Sequence, residues 1–121
     1  MALFPLHHAF GLRRVFAASY QAVSGTGARA IAELKQQVEA SMRGEESTPE
    51  VYPHPIAFNV LPHVDSFLAN GYTREEMKLQ NEGRQMMHLP EFSAAVTWSR
   101  VPAYRAHSNA LTPRFERPVA R

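Results

Sequence analysis

The chain has 121 residues, 45% apolar and 20% charged, the balance of one globular domain large enough to bury a core. A net charge of +2, with thirteen Lys and Arg scattered along the chain, argues against a nucleic-acid partner. The absence of cysteine excludes disulfides, a thiol nucleophile and thiolate metal sites within these residues, and no apolar run approaches the roughly 20 residues that span a bilayer.

The opening stretch, MALFPLHHAFGLRRVFAASYQ, contains no acid; the first one in the chain is Glu33. An acid-poor, Arg-containing start resembles a transit peptide. Against that, Leu3, Leu6, Phe10 and Leu12 recur at near-helical spacing and VFAASY follows as a strand, which favours folded structure. The expected elements are a helix over 2–10 and a strand over 13–20.

SGTG, residues 24–27, is a turn between that strand and a helix over 28–42. It has only Gly25 and Gly27, so it misses both the G-x-G-x-x-G and the P-loop patterns. A plain helix-entry turn is the simpler reading, although backbone N–H groups at a helix start attract anions. In ARAIAELKQQVEASM, Ile31, Leu34, Val38 and Met42 form the apolar stripe, with Glu33, Lys35 and Glu39 off it.

Residues 43–55 carry three acids and three prolines without a period and read as a loop. Residues 56–68, apolar but broken by Pro62, read as irregular with a short strand. A second helix is expected over 73–88. Thr73 and Glu76 form a T-x-x-E capping box there, and Met77, Met86 and Met87 supply part of its apolar face. A long strand over 92–104 and another over 110–116 complete the chain. A strand–helix–helix–strand order without regular βαβ alternation predicts an α+β fold.

Several side chains admit two readings. Arg100, Arg105 and His107 follow the apolar run FSAAVTW, either as solvated strand-end charges or as an anion grip beside a proton-transfer group. On a regular strand, positions 100 and 107 point to opposite faces, but Pro102 offers a place for a bulge or turn. Glu75 and Lys78, three apart on one helix, share a face and read most simply as a surface ion pair. Gln21, just past a strand, reads as a surface amide. The six histidines (His7, His8, His54, His63, His88, His107) lack H-x-x-x-H or comparable spacing, so no metal site is expected.

Four blocks, SYQAVSGTG, PIAFNVLPHVDSFLANGYTREEMK, NEGRQ and RVPAYRAHSNA, resemble in this order the aspartate-β-semialdehyde dehydrogenase family, from residue 1 to about 117. The resemblance implies the C-terminal catalytic and dimerisation domain: α+β, a sheet with helices packed on one face. That architecture is like the C-terminal domain of glyceraldehyde-3-phosphate dehydrogenase, here truncated. Residues 1–121 are then expected to be part of that domain, with the N-terminal nucleotide-binding domain and the nucleophilic cysteine absent.

In that family a cysteine thiolate attacks the aldehyde, hydride leaves to NADP, and phosphate displaces the thioester as aspartyl phosphate. Physiologically the reaction runs in reverse, as NADP-dependent reductive dephosphorylation of aspartyl phosphate to aspartate semialdehyde in lysine, threonine and methionine biosynthesis. The resemblance implies that His107 is the acid/base group, a role that suits an imidazole. It makes Arg100 the carboxylate clamp, which a planar guanidinium can hold with two charge-assisted hydrogen bonds. Glu75 then faces the substrate amino group, Lys78 binds phosphate, Gln21 hydrogen-bonds the substrate, and Ser24 with Gly25 touches NADP. This sequence departs from the family in having Ala106 where glycine is common and Asn109 where glutamate is common.

The expectations that follow are a cytoplasmic homodimer that takes aspartate semialdehyde and phosphate, with NADP as cofactor of the full-length protein. No metal, nucleic acid or membrane is involved, and without a thiol the chain is inactive by itself. The alternatives are a non-catalytic association module and a fragment of an N-acetylglutamyl-phosphate reductase-like enzyme, which would not need Glu75 opposite a free amino group.

Overall fold

The computed structural model describes residues 2–119. In chain order they form α1 (Leu3–Phe10), β1 (Leu12–Gln21), a 3-10 turn (Val23–Thr26), α2 (Ala28–Met42), α3 (Arg74–Met86), β2 (Ser93–Arg100) and β3 (Ser108–Phe115). The expected α+β class holds. The three strands form one sheet in the order β2-β1-β3. Arg14 of β1 bonds to Ser93 at the start of β2, and Gln21 bonds to Val101 just past its end, so these strands run in one direction. Gly11, ahead of β1, accepts from Glu116, past the end of β3, so β3 runs the other way. The sheet is therefore mixed.

The chain divides into two compact units. The first takes residues up to Ala18, Asp65–Thr97 and residues from Asn109 on. Its core is Leu12, Val15, Met87 and Phe92, with Leu3, Ala17, Leu89, Ala94 and Phe115 half-buried around it. Helices α1 and α3 thus cover the sheet face that carries Val15 and Ala17. The opposite face carries Phe16, which is 51% exposed. Gly11 ends α1 in the left-handed region (φ 71°) and donates to the His7 carbonyl at 2.8 Å, a glycine helix stop. At α3 the capping box is formed as read: Glu76 N–H donates to the Thr73 hydroxyl (3.2 Å) and Thr73 N–H to the Glu76 carboxylate (2.8 Å). Gly83 is buried in α3 because a Cβ there would stand 2.6 Å from the ring of fully buried Phe92.

The second unit takes Ser19–Val64 and Trp98–Ser108. Its core joins Val23, Ala30, Leu34, Ile56 and Leu61. The polar side of α2 differs from expectation, since Glu33 and Gln37 are buried and Met42 is 81% exposed. Glu33 accepts from Glu50 N–H (2.8 Å), Val51 N–H (2.5 Å) and the Gln37 amide (3.2 Å). Gln37 in turn accepts from Ile56 N–H (2.8 Å) and Ala57 N–H (3.0 Å). A loop without secondary structure must place its backbone groups somewhere, and here α2 receives them.

Two strand readings also change. Residues 56–68 hold no strand; Leu61 makes a single antiparallel bridge to Arg100, and Phe67 one to Thr73. The strand expected over 92–104 ends at Arg100, and β3 starts at Ser108, two residues ahead of its expected start. Pro102 has no N–H for a ladder, and Ala106 sits at φ 69°, outside any strand geometry. Among the described residues, no helix is long and apolar enough to cross a membrane.

Candidate functional site

Five of the residues read from the sequence lie in the second unit, around the 3-10 turn and the segment after β2. Backbone bonds stitch these two segments together. Val101 N–H donates to Gln21 (2.9 Å), Val23 N–H to Ala103 (2.9 Å) and Ser24 N–H to Tyr104 (3.2 Å). Leaving the sheet after Arg100, the chain turns and brings His107 back to the same spot.

The result is a shared anchor. Arg100 Nη1 donates to the Ala22 carbonyl at 2.8 Å, and His107 Nδ1 accepts from the Ala22 N–H at 3.0 Å. A Cβ placed on Gly25 would stand 3.0 Å from Arg100 Nη1 and 3.2 Å from His107 Nε2. The two side chains therefore reach one point, and the opposite-face geometry of a regular strand does not arise. The solvated reading fails for Arg100, which is only 7% exposed. It fails for Gln21 also, at 5% exposed. His107 and Arg105 are exposed and Ser24 is half-buried. Because Nδ1 of His107 accepts a hydrogen bond, the neutral ring carries its proton on Nε2.

Glu75 and Lys78 belong to the other unit, in the first turns of α3, and are ion-paired with each other. The Glu75 carboxylate, first through that hydrogen bond and then through its charge, holds the Lys78 ammonium above the ordinary lysine range. Glu75 keeps 24% of its side chain exposed and Lys78 keeps 52%. Among the described residues, no group of three or more His, Asp or Glu is arranged to hold a metal ion.

Sequence reasoning missed Ala22. It is fully buried and contributes only backbone, so neither its side chain nor its spacing carries a signal.

The chain matches the model of the semialdehyde dehydrogenase dimerisation domain over residues 3–120. Aspartate-semialdehyde dehydrogenase of Aquifex aeolicus is 40% identical over 121 residues, which cover 99% of this chain and 36% of that protein. The protein of the same name from Legionella pneumophila is 44% identical over 119 residues, covering 98% of this chain and 34% of its own length. A crystal structure of aspartate semialdehyde dehydrogenase II from Vibrio cholerae, complexed with ASA, aligns with a TM-score of 0.95 at 35% identity. It covers 98% of this chain and 35% of its own. The Candida albicans enzyme solved with NADP, at TM-score 0.61 and 20% identity, shares the fold. The chain spans about a third of the length of these relatives.

Proposed function

The chain belongs to the semialdehyde dehydrogenase dimerisation-domain family, and we propose that it supplies the substrate-binding and proton-transfer part of an aspartate-semialdehyde dehydrogenase. The observation that carries this reading is the buried Arg100 and exposed His107 meeting at Ala22. In the working direction the whole protein reduces aspartyl phosphate to aspartate semialdehyde with release of phosphate, in a cytoplasmic amino-acid biosynthetic route. Residues 1–121 are part of its catalytic and dimerisation domain, and the nucleotide-binding domain lies outside them.

Each residue then has a task. Arg100, its guanidinium plane held by the Ala22 carbonyl, grips the substrate carboxylate, where a charge-assisted bond is worth about 1.5–3 kcal/mol. His107 gives or takes a proton through Nε2 as the carbonyl carbon changes state. Gln21 hydrogen-bonds the substrate. Glu75 faces the substrate ammonium, and Lys78 exchanges its bond to Glu75 for one to phosphate. Ser24 and Gly25 fit contact with NADP: the turn is accessible, and Gly25 has no side chain to hold a flat ring away. NADP, when bound, carries the hydride. The thiolate that the chemistry requires is not among these residues, which contain no cysteine.

The partner is a second copy. The outer sheet face of the first unit, with Phe16 and Ala18 beside Ala95, Thr97, Ala110 and Thr112, is a surface of small and apolar residues suited to self-association.

The test is a titration of the 121-residue chain with aspartate semialdehyde, followed by NMR. The His107 ring signals are expected to shift and saturate, and Arg100→Lys to weaken binding about tenfold or more. With NADP and phosphate added, the chain by itself forms no NADPH. A His107 signal indifferent to the semialdehyde, or binding unchanged in Arg100→Lys, would refute the proposal.

A further inference from the structure

We infer that Ala22 and Gly25 are positioning residues, which hold His107 and Arg100 side by side with Nε2 of His107 facing outward. This deepens the acid/base reading of His107 and rests on it for its functional meaning, but the geometry stands on its own. Ala22 is in extended backbone (φ −66°, ψ 153°). These angles lie in the polyproline region rather than the antiparallel one, so Ala22 presents its N–H and C=O outside a ladder. At Ala22 no neighbouring strand takes that pair. The His107 ring accepts from the N–H at 3.0 Å, and the C=O accepts from Arg100 at 2.8 Å and from the Gly25 N–H of the 3-10 turn at 3.3 Å, so two side chains and the turn stand in place of a strand.

A backbone N–H cannot accept, so the contact fixes which ring nitrogen is the acceptor and leaves the proton of the neutral ring on Nε2. The spacing between the two side chains is set with it, since both hold the same fully buried residue. Gly25 completes the arrangement by leaving room. Its backbone is not in the left-handed region, so clearance is what calls for glycine here. A methyl group would press on Arg100 Nη1 at 3.0 Å and on the His107 ring at 3.2 Å together.

Three variants of the chain test this by NMR on isotopically labelled protein. In the parent, the Ala22 amide is expected to be protected from hydrogen exchange although its partner is an exposed ring. His107→Ala should lower that protection at least tenfold, and unchanged protection would overturn the inference. Ala22→Pro removes the donor at a φ that proline already favours. It should release the ring, with part of the neutral population moving its proton to Nδ1, and an unchanged ring spectrum would overturn the inference. Should Ala22→Pro fail to fold, Gly25→Ala decides. It should shift the His107 ring and Arg100 guanidinium signals together while core signals stay in place, and His107 signals identical to the parent would again overturn the inference. Failure of the semialdehyde titration with these results intact would sink the acid/base reading and leave the positioning role standing.

Discussion

Helices α2 and α3 each carry a polar pair at helical spacing and use it in opposite ways. On α2, Glu33 and Gln37 are buried and receive four backbone N–H groups from residues 50–57. On α3, Glu75 and Lys78 stay accessible and hold only each other in the bonds described. The first pair is saturated by partners that cannot leave without unfolding a loop. The second is satisfied by a bond that an arriving anion or ammonium group can replace at little cost, since exposed ion pairs contribute little. Spacing alone does not separate a structural pair from an exchangeable one; burial and the identity of the partners do.

The largest expected effect lies on α2. Glu33→Ala strands the N–H groups of Glu50 and Val51 and one side of the Gln37 amide. Leaving buried donors unpaired costs about 1–3 kcal/mol each when no water replaces the acceptor. A loss of about 2–4 kcal/mol is expected in urea unfolding, with the loop over 50–57 exchanging its amides faster. A loss near zero would mean that this loop is held by its apolar contacts, and the contrast between the helices would collapse.

A smaller effect is expected on α3, where a glycine does the anchoring. In an exposed helix interior, replacing Gly by Ala gains about 1 kcal/mol. At Gly83 the added Cβ would stand 2.6 Å from the Phe92 ring, and overpacking of a core costs about 1–3 kcal/mol. Gly83→Ala is therefore expected to lower the unfolding midpoint, and Gly83→Ala with Phe92→Leu to recover part of the loss. A midpoint raised by the single change would show that α3 is free to shift away from Phe92.

The same contrast explains what could be read from the sequence. The start of α3 was legible because Thr73 and Glu76 act on each other three positions apart, a local device. Apolar spacing placed α2 correctly but misassigned its polar side, because the partners of Glu33 lie 17 and 18 positions away in a segment without a period. The end of β2 was overrun because Val101 and Ala103 continue the apolar run, while Pro102 and the left-handed Ala106 decide the geometry. At the site, Arg100 and His107 were marked by the RVPAYRAHSNA block, yet strand parity argued against their meeting. The turn over 101–107 resolves that conflict. Ala22 was invisible because what it contributes is a peptide N–H and C=O, which every residue but proline has.

The smallest expected effect on stability is at Glu75, and its value lies in that smallness. The Glu75 carboxylate raises the Lys78 amine above the ordinary lysine range, chiefly by accepting its hydrogen bond. A basic group raised on folding stabilises the fold while it stays protonated, and that contribution disappears only as pH climbs through the raised value. The charge on Lys78 should therefore not alter the pair around neutral pH, and because Lys78 is solvated, salt screens what remains. Glu75→Gln removes the charge and keeps the shape. The Lys78 titration, followed through its Cε carbon by NMR, should move down toward the ordinary lysine range, and about 1 M salt should produce part of that movement in the parent. The urea midpoint of Glu75→Gln at neutral pH should match the parent. A midpoint lowered as far as by Glu33→Ala would make the α3 pair a second structural clamp, unavailable to a substrate. An unchanged midpoint together with a lowered Lys78 titration leaves the pair exchangeable, as the roles proposed for Glu75 and Lys78 require.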